Sequence, residues 1–166
     1  MGNYKGDDRL EKHYTPKHLI DELFLLKDKY VDFDITEYLE NSAGCGNIVD
    51  RFDKDYIAID IFNESKREDI KECDYLKEKI EYKKGRVSII NPPFNKGLKF
   101  VYKSLEEGDM TIAILSVNSL INIDYSKYWL LEGQVWKNKD FGSCKLSICI
   151  VVLRKRKEGD KYEYEN

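Results

Sequence analysis

The chain has 166 residues, 42% of them hydrophobic and 36% charged, which suits one packed domain and excludes a disordered chain. No apolar run reaches the roughly 20 residues needed to cross a bilayer. The polar start, MGNYKGDDRLEKHYTP, lacks the apolar stretch of a signal peptide. No membrane partner and a cytoplasmic location are therefore expected. The net charge of −3 offers no overall basic surface for phosphate contacts. Local clusters are the alternative: Lys83, Lys84 and Arg86; Lys96, Lys99 and Lys103; and Arg154 to Lys157.

Elements alternate along the chain. Thr15-Pro16 predicts a helix start, with Thr15 as N-cap and Pro16 in the first helical position. Leu19, Ile20, Leu23, Phe24 and Leu26 recur at helical spacing through about Lys29. A short strand is expected over Ile35 to Leu39. The loop Glu40-Asn-Ser-Ala-Gly-Cys-Gly46 follows, and then a short helix over Asn47 to Phe52. Strands are predicted over Tyr56 to Asp60, Asp69 to Asp74, and Arg86 to Ile90. A helix over Leu98 to Glu107 is closed by Gly108, and Thr111 to Val117 reads as a buried strand. Two last strands, Gln134 to Lys137 and Leu146 to Leu153, flank a turn containing Gly142. Such alternation implies a mainly parallel sheet with crossover helices, and the last pair an antiparallel hairpin at one edge. Ligands bind such sheets at the carboxyl ends of strands. Loops 40–46, 60–62 and 91–94 each follow a strand, so they should converge.

The first of these loops has two close glycines, Gly44 and Gly46, which let backbone approach a ligand. It matches neither GxGxxG nor the phosphate loop GxxxxGK[ST]. Glu40 would repel a pyrophosphate but suits a cation such as an ammonium or a sulfonium. Asp60, 14 residues after Gly46, ends the next strand, where an acid can accept hydrogen bonds from both hydroxyls of a ribose. Asn91-Pro92-Pro93-Phe94 directly follows the apolar run Val87 to Ile90. Both prolines restrict the backbone and remove N–H donors. The amide of Asn91 and the carbonyl of Pro92 can then act as two fixed acceptors. The cysteines Cys45, Cys73, Cys144 and Cys149 form no CxxC pair, and only His13 and His18 could add imidazoles. No metal site is expected, and free thiols are.

E-N-S-A-G-C-G resembles the glycine loop of class I S-adenosylmethionine-dependent methyltransferases. NPPF resembles the [D/N/S]PP[Y/F] motif of amino-methyltransferases, N6-adenine DNA methyltransferases in particular. His13-Tyr14-Thr15-Pro16 resembles the "YTP" motif that precedes the glycine loop in one subgroup. The three occur in the same order as in that subgroup, and the resemblance spans about His13 to Leu153.

The resemblance implies an α/β fold of Rossmann-like type, with a mainly parallel seven-stranded sheet, an antiparallel C-terminal hairpin and helices on both faces. It implies S-adenosylmethionine as cofactor. Tyr14, Thr15 and Pro16 would stand at the methionine carboxylate, and Glu40, Ala43, Gly44 and Gly46 along the methionine and ribose. Asp60 would hold the ribose hydroxyls and Ile61 would pack on the adenine. Asp74 would accept from the adenine amino group, with Tyr75 beside it. Asn91 and Pro92 would accept the two hydrogens of a target amino group, next to the cofactor, with Pro93 stiffening the loop. Phe94, Lys96 and Phe141 would contact the target.

The implied activity is transfer of a methyl group to the N6 amino group of adenine in DNA, the base being flipped out of the duplex. An RNA adenine or a protein glutamine amide is an alternative substrate, because each presents a planar nitrogen. An inactive subunit that serves only for interaction is a further alternative. One catalytic domain is expected over 1–166, with 1–12 and the charged tail 155–166 flexible. No separate target-recognition domain is expected, so specificity would come from short loops such as Asn118 to Tyr128, a homodimer or a partner subunit.

Overall fold

The computed structural model describes residues 15–141 and 144–161, with side chains described outside 138–146. Tyr14, the segment 1–12, the turn at Gly142 and the Phe141 side chain lie outside the described residues. Seven strands form one sheet: β1 (Glu37–Glu40), β2 (Tyr56–Asp60), β3 (Lys71–Glu72), β4 (Arg86–Ile90), β5 (Met110–Ser116), β6 (Tyr128–Phe141) and β7 (Cys144–Lys155). Their order is β3-β2-β1-β4-β5-β7-β6. The first five in that order run parallel, while β7 is antiparallel to both β5 and β6.

Alternation along the strands gives the sheet two apolar faces. Tyr38, Val87, Ile89, Ile112 and Ile150 point to one face, where helix α1 (Lys17–Tyr30) supplies Leu19, Leu23 and Phe24. Leu39, Ile90, Ala113, Leu115 and Val151 point to the other, where helix α2 (Gly97–Glu107) supplies Phe100, Val101 and Leu105. All five residues of β4 are buried, as expected of a central parallel strand with both faces covered.

The predicted bounds hold for β2 and β4; α1, α2 and β5 lie within one residue of expectation, β7 runs two residues further at each end, and the remaining elements differ. β1 starts and ends later than expected, so Glu40 is its last residue. The helix expected over 47–52 is a single 3-10 turn, Val49–Arg51. The strand expected over 69–74 shrinks to two exposed residues at the sheet edge. The loop expected over 118–128 begins with a 3-10 segment, Val117–Asn122. β6 has 14 residues where the pattern predicted four. Register shifts between Leu130 and Glu132 and between Trp136 and Lys139 interrupt its alternation, and such irregularities hide a strand from a period-two pattern.

Thr15 is not the N-cap either. Pro16 holds that position with extended backbone and no side-chain cap, and its carbonyl accepts from the Leu19 and Ile20 amides. The Thr15 hydroxyl is engaged elsewhere, as described below. At the end of β7, Arg154 Nη1 and Nη2 donate to Asp160 at 2.6 and 2.7 Å, fastening residues 156–160 to the end of that strand.

Candidate active site

The strand order reverses between β1 and β4, the place where a parallel sheet opens a crevice at its carboxyl edge. The loops after β1, β2 and β4 meet there around one cavity of about 520 Å³. Thr15, Ala43, Gly44, Asp60, Ile61, Asp74, Tyr75 and the whole of Asn91 to Phe94, with Lys96, stand in its wall.

The glycine loop is held by its own backbone and by Asp60. Gly44 and Gly46 have φ of +54° and +88°, values that disfavour any residue with a side chain. Asp60 Oδ2 accepts from the Gly44 amide at 2.7 Å, and Oδ1 from the Phe62 amide at 2.9 Å. The acid expected to bind ribose hydroxyls thus also pins the loops on either side of it. Each carboxylate oxygen keeps a further lone pair for a ligand. A second brace comes from the β2–β3 connection: Arg67 donates to Asp50 at 2.6 Å and to Asp69 at 2.7 and 3.0 Å. Its guanidinium lies against Gly46, where an added Cβ would stand 2.2 Å from Nη1. A side chain at Gly46 would meet this brace, and Gly46 is not among the wall residues.

Glu40, expected along the methionine and ribose, lies deeper than the residues of the cavity wall. It is 1% exposed. Oε1 accepts from the Ser42 amide at 3.0 Å and the Ser42 hydroxyl at 3.1 Å, while Oε2 is buried without a partner. Complete burial pushes its carboxyl up to about 8; the Ser42 bonds oppose this and the Asp60 charge adds to it. A buried carboxyl with one unpaired oxygen is suited to a cation, which would restore its ionised form.

On the next wall, Asp74 Oδ1 accepts from the Leu76 amide at 3.1 Å, and Oδ2 pairs with Lys77 at 3.3 Å. Tyr75 is buried against Phe100, with centroids 5.4 Å apart, and its hydroxyl donates to Glu107 at 2.6 Å. The ring borders the cavity while its polar end belongs to the core. Ile61 and Phe62 are 53% and 43% exposed, an apolar pair beside the Asp60 carboxylate. Burying such a pair under a planar ligand is favourable.

The NPPF loop leaves β4 at the opposite wall. Asn91 Nδ2 donates to Thr15 Oγ1 at 2.9 Å. With its donor end committed, the amide has Oδ1 as its remaining acceptor. Pro92 and Pro93, both in the wall, bring no N–H donor to it. Phe94 opens a 3-10 turn that runs into α2 and packs partly against the α1 face.

Several wall residues lie beyond the sequence reading, among them Asn41, Ser42, Phe62 and Phe100. Phe62 could have been found as the apolar neighbour of a strand-ending acid; Phe100 reaches the wall from α2, which packs against β5. Two of the basic clusters are not at the site. Lys83 and Arg86 lie at the amino end of β4, paired with Glu37 at 3.0 and 2.7 Å. Arg154 is engaged by Asp160. Among the described residues, Lys96 is the one Lys or Arg in the wall. No group of three or more His, Cys, Asp or Glu positioned for a metal occurs among the described residues. None of their helices is long and apolar enough to cross a membrane.

Strand order and site position together define a Rossmann-like fold of the class I methyltransferase type, and solved structures share it. A Pyrococcus horikoshii protein solved as a candidate RNA methyltransferase superposes with a TM-score of 0.70 at 16% identity, over 93% of each chain. The 23S rRNA methyltransferase ErmE gives 0.64 at 14% identity, over 87% of this chain and 70% of that one. The modification subunit of a candidate type I restriction enzyme from Vibrio vulnificus gives 0.60 at 10% identity, over 92% of this chain and 46% of its own. No family model matches the sequence, and no curated protein matches it.

Proposed function

We propose that this chain is an S-adenosylmethionine-dependent methyltransferase acting on the N6 amino group of adenine in DNA. The observation that carries this reading is the cavity shared by the glycine loop, Asp60 and the NPPF loop. One end of it suits a cationic nucleoside and the other presents acceptors to a planar amino group. S-adenosylmethionine supplies an electrophilic methyl group on a sulfonium centre. The unpaired Glu40 oxygen suits the positive charge of such a cofactor, and Asp60 suits its ribose. Ile61 and Phe62 offer an apolar shelf for its adenine, and the Asp74 carboxylate suits the amino group of that ring.

Asn91 and Pro92 act on the target nitrogen. The lone pair of an exocyclic amino group is conjugated into its ring, which makes it a poor nucleophile. Asn91 Oδ1 and the Pro92 carbonyl accept its two hydrogens and hold them out of the ring plane, so the lone pair is freed for attack. This is preorganised positioning by fixed dipoles. Phe94 offers a ring face to the base once it has left its stack.

RNA is the second reading, favoured by the likeness to the Pyrococcus horikoshii protein over 93% of both chains. Expression of the chain and its Asn91→Ala variant in a host without adenine methylation tests both. DNA and RNA are separated, digested to nucleosides and assayed for N6-methyladenine by mass spectrometry. Signal in DNA that vanishes with Asn91→Ala is the expected result. Signal in RNA alone moves the second reading to first, and signal in neither overturns both.

A further inference from the structure

We propose that Thr15 is a positioning residue: its hydroxyl sets which end of the Asn91 amide faces the target, and it does so when a bound ligand accepts its proton. The proposal rests on the cofactor reading of the cavity and adds to it a coupling between cofactor and catalytic loop.

An amide is polar at both ends, and only one end works here. The target amino group is itself a donor, so Oδ1 must face it. Turned around, Asn91 would set N–H against N–H. Nothing in an asparagine side chain selects between these arrangements, because the two ends have nearly the same shape. Selection has to come from what the other end touches, and that neighbour is Thr15 Oγ1, 2.9 Å from Nδ2.

A hydroxyl alone is an ambiguous selector, since it can donate or accept. It has one proton, however. If that proton is directed to a third group, Oγ1 can only accept, and Nδ2 is the end it must receive. Thr15 is well placed for this. It is 9% exposed and stands in the cavity wall. Pro16 occupies the helix N-cap, and no side chain caps α1, so the hydroxyl is not bound to the helix. A ligand oxygen at that wall takes the proton, Oγ1 takes Nδ2, and Oδ1 is turned toward the target nitrogen. Occupancy at one end of the cavity thereby orders the acceptor at the other. By linkage, the ordered acceptor strengthens binding of the ligand that ordered it.

The test uses the full chain labelled with nitrogen-15, with S-adenosylhomocysteine as probe. Calorimetry first establishes whether the probe binds. The Asn91 side-chain NH2 resonances are assigned by their loss in Asn91→Asp. Binding should shift this pair and slow its exchange with water in the wild type and in Thr15→Ser, which keeps the hydroxyl. In Thr15→Val the probe should still bind, within about tenfold, and the pair should stay at its free position. A kinetic arm uses the symmetry of a carboxylate, which presents oxygen in either orientation. Thr15→Val should lower kcat at least about tenfold with Asn91 in place, and less than about twofold in the Asn91→Asp background. Probe binding with no response of the Asn91 pair, or equal losses of kcat in both backgrounds, overturns the coupling alone. Absence of binding overturns the cofactor reading and the coupling with it.

Discussion

Replacing Glu40 by Gln should stabilise the protein and weaken its hold on a cation, and the two effects have one origin. Glu40 is 1% exposed, and its Oε2 has no partner. Burial raises its pKa from 4.5 to about 8. Between those values the folded chain keeps a proton on Glu40 that the unfolded chain has released. The unfolded state therefore binds fewer protons, so stability falls as pH rises through this window, and the full cost is reached above about pH 8. At about 1.4 kcal/mol for each tenfold change in proton affinity, the cost has an upper bound of about 5 kcal/mol. Gln keeps the carbonyl that accepts from Ser42 and never ionises. Urea unfolding from about pH 5 to about pH 9 should show the variant near the wild type at the acid end and several kcal/mol more stable at the alkaline end. Binding of S-adenosylhomocysteine, whose ammonium can pair with Glu40, should release up to about one proton in the wild type at neutral pH and none in the variant. Calorimetry in two buffers of different ionisation enthalpy counts that proton. Equal pH slopes for the two proteins would refute the reasoning, because they would mean that Glu40 is already ionised in the free fold.

Other changes separate the roles around the cavity. Asn91→Ala should lower kcat by about a hundredfold or more while S-adenosylhomocysteine affinity changes less than about threefold; single-turnover kinetics and calorimetry measure the two. Arg67→Ala removes the brace on the glycine loop without touching the wall, and should weaken that affinity about tenfold with a small change in Tm; a wild-type affinity in this variant contradicts the brace. Gly46→Ala must hold φ near +88° and push the Arg67 guanidinium aside, at a cost of about 1–3 kcal/mol in urea unfolding.

Features made by neighbours in the chain were readable from it. Tyr56 to Asp60 and Arg86 to Ile90 are short apolar runs closed by turn chemistry, and both strands have the bounds the pattern predicts. The convergence of three loops followed from strand alternation alone, because in a parallel sheet every loop after a strand opens on the same edge. Features made by distant pairs were not readable. Thr15 has all the local marks of an N-cap, yet its hydroxyl bonds Asn91, 76 residues away. Arg67 is an ordinary charged residue until folding brings it against Gly46. Lys83 and Arg86 lie within a few residues of NPPF, but β4 carries them to the opposite end of the sheet, where Glu37 neutralises them. Proximity in sequence across a strand means separation by its full length.

That same geometry separates the charge of the cavity from the charge of the chain as a whole. The cavity wall contains Asp60, Glu64 and Asp74 against Lys96, with Glu40 buried behind it. A wall of this sign disfavours a phosphate and suits a cation. Toward the NPPF loop the lining turns neutral, with Asn91, Pro92 and Pro93. Lys96 belongs to the same 3-10 turn as Phe94 and holds the N-cap position of α2. On the proposed function, Lys96 is the wall cation, among the described residues, that could meet a phosphate flanking the target base. The net charge of the chain averages over both regions and so conceals the arrangement that matters to the chemistry.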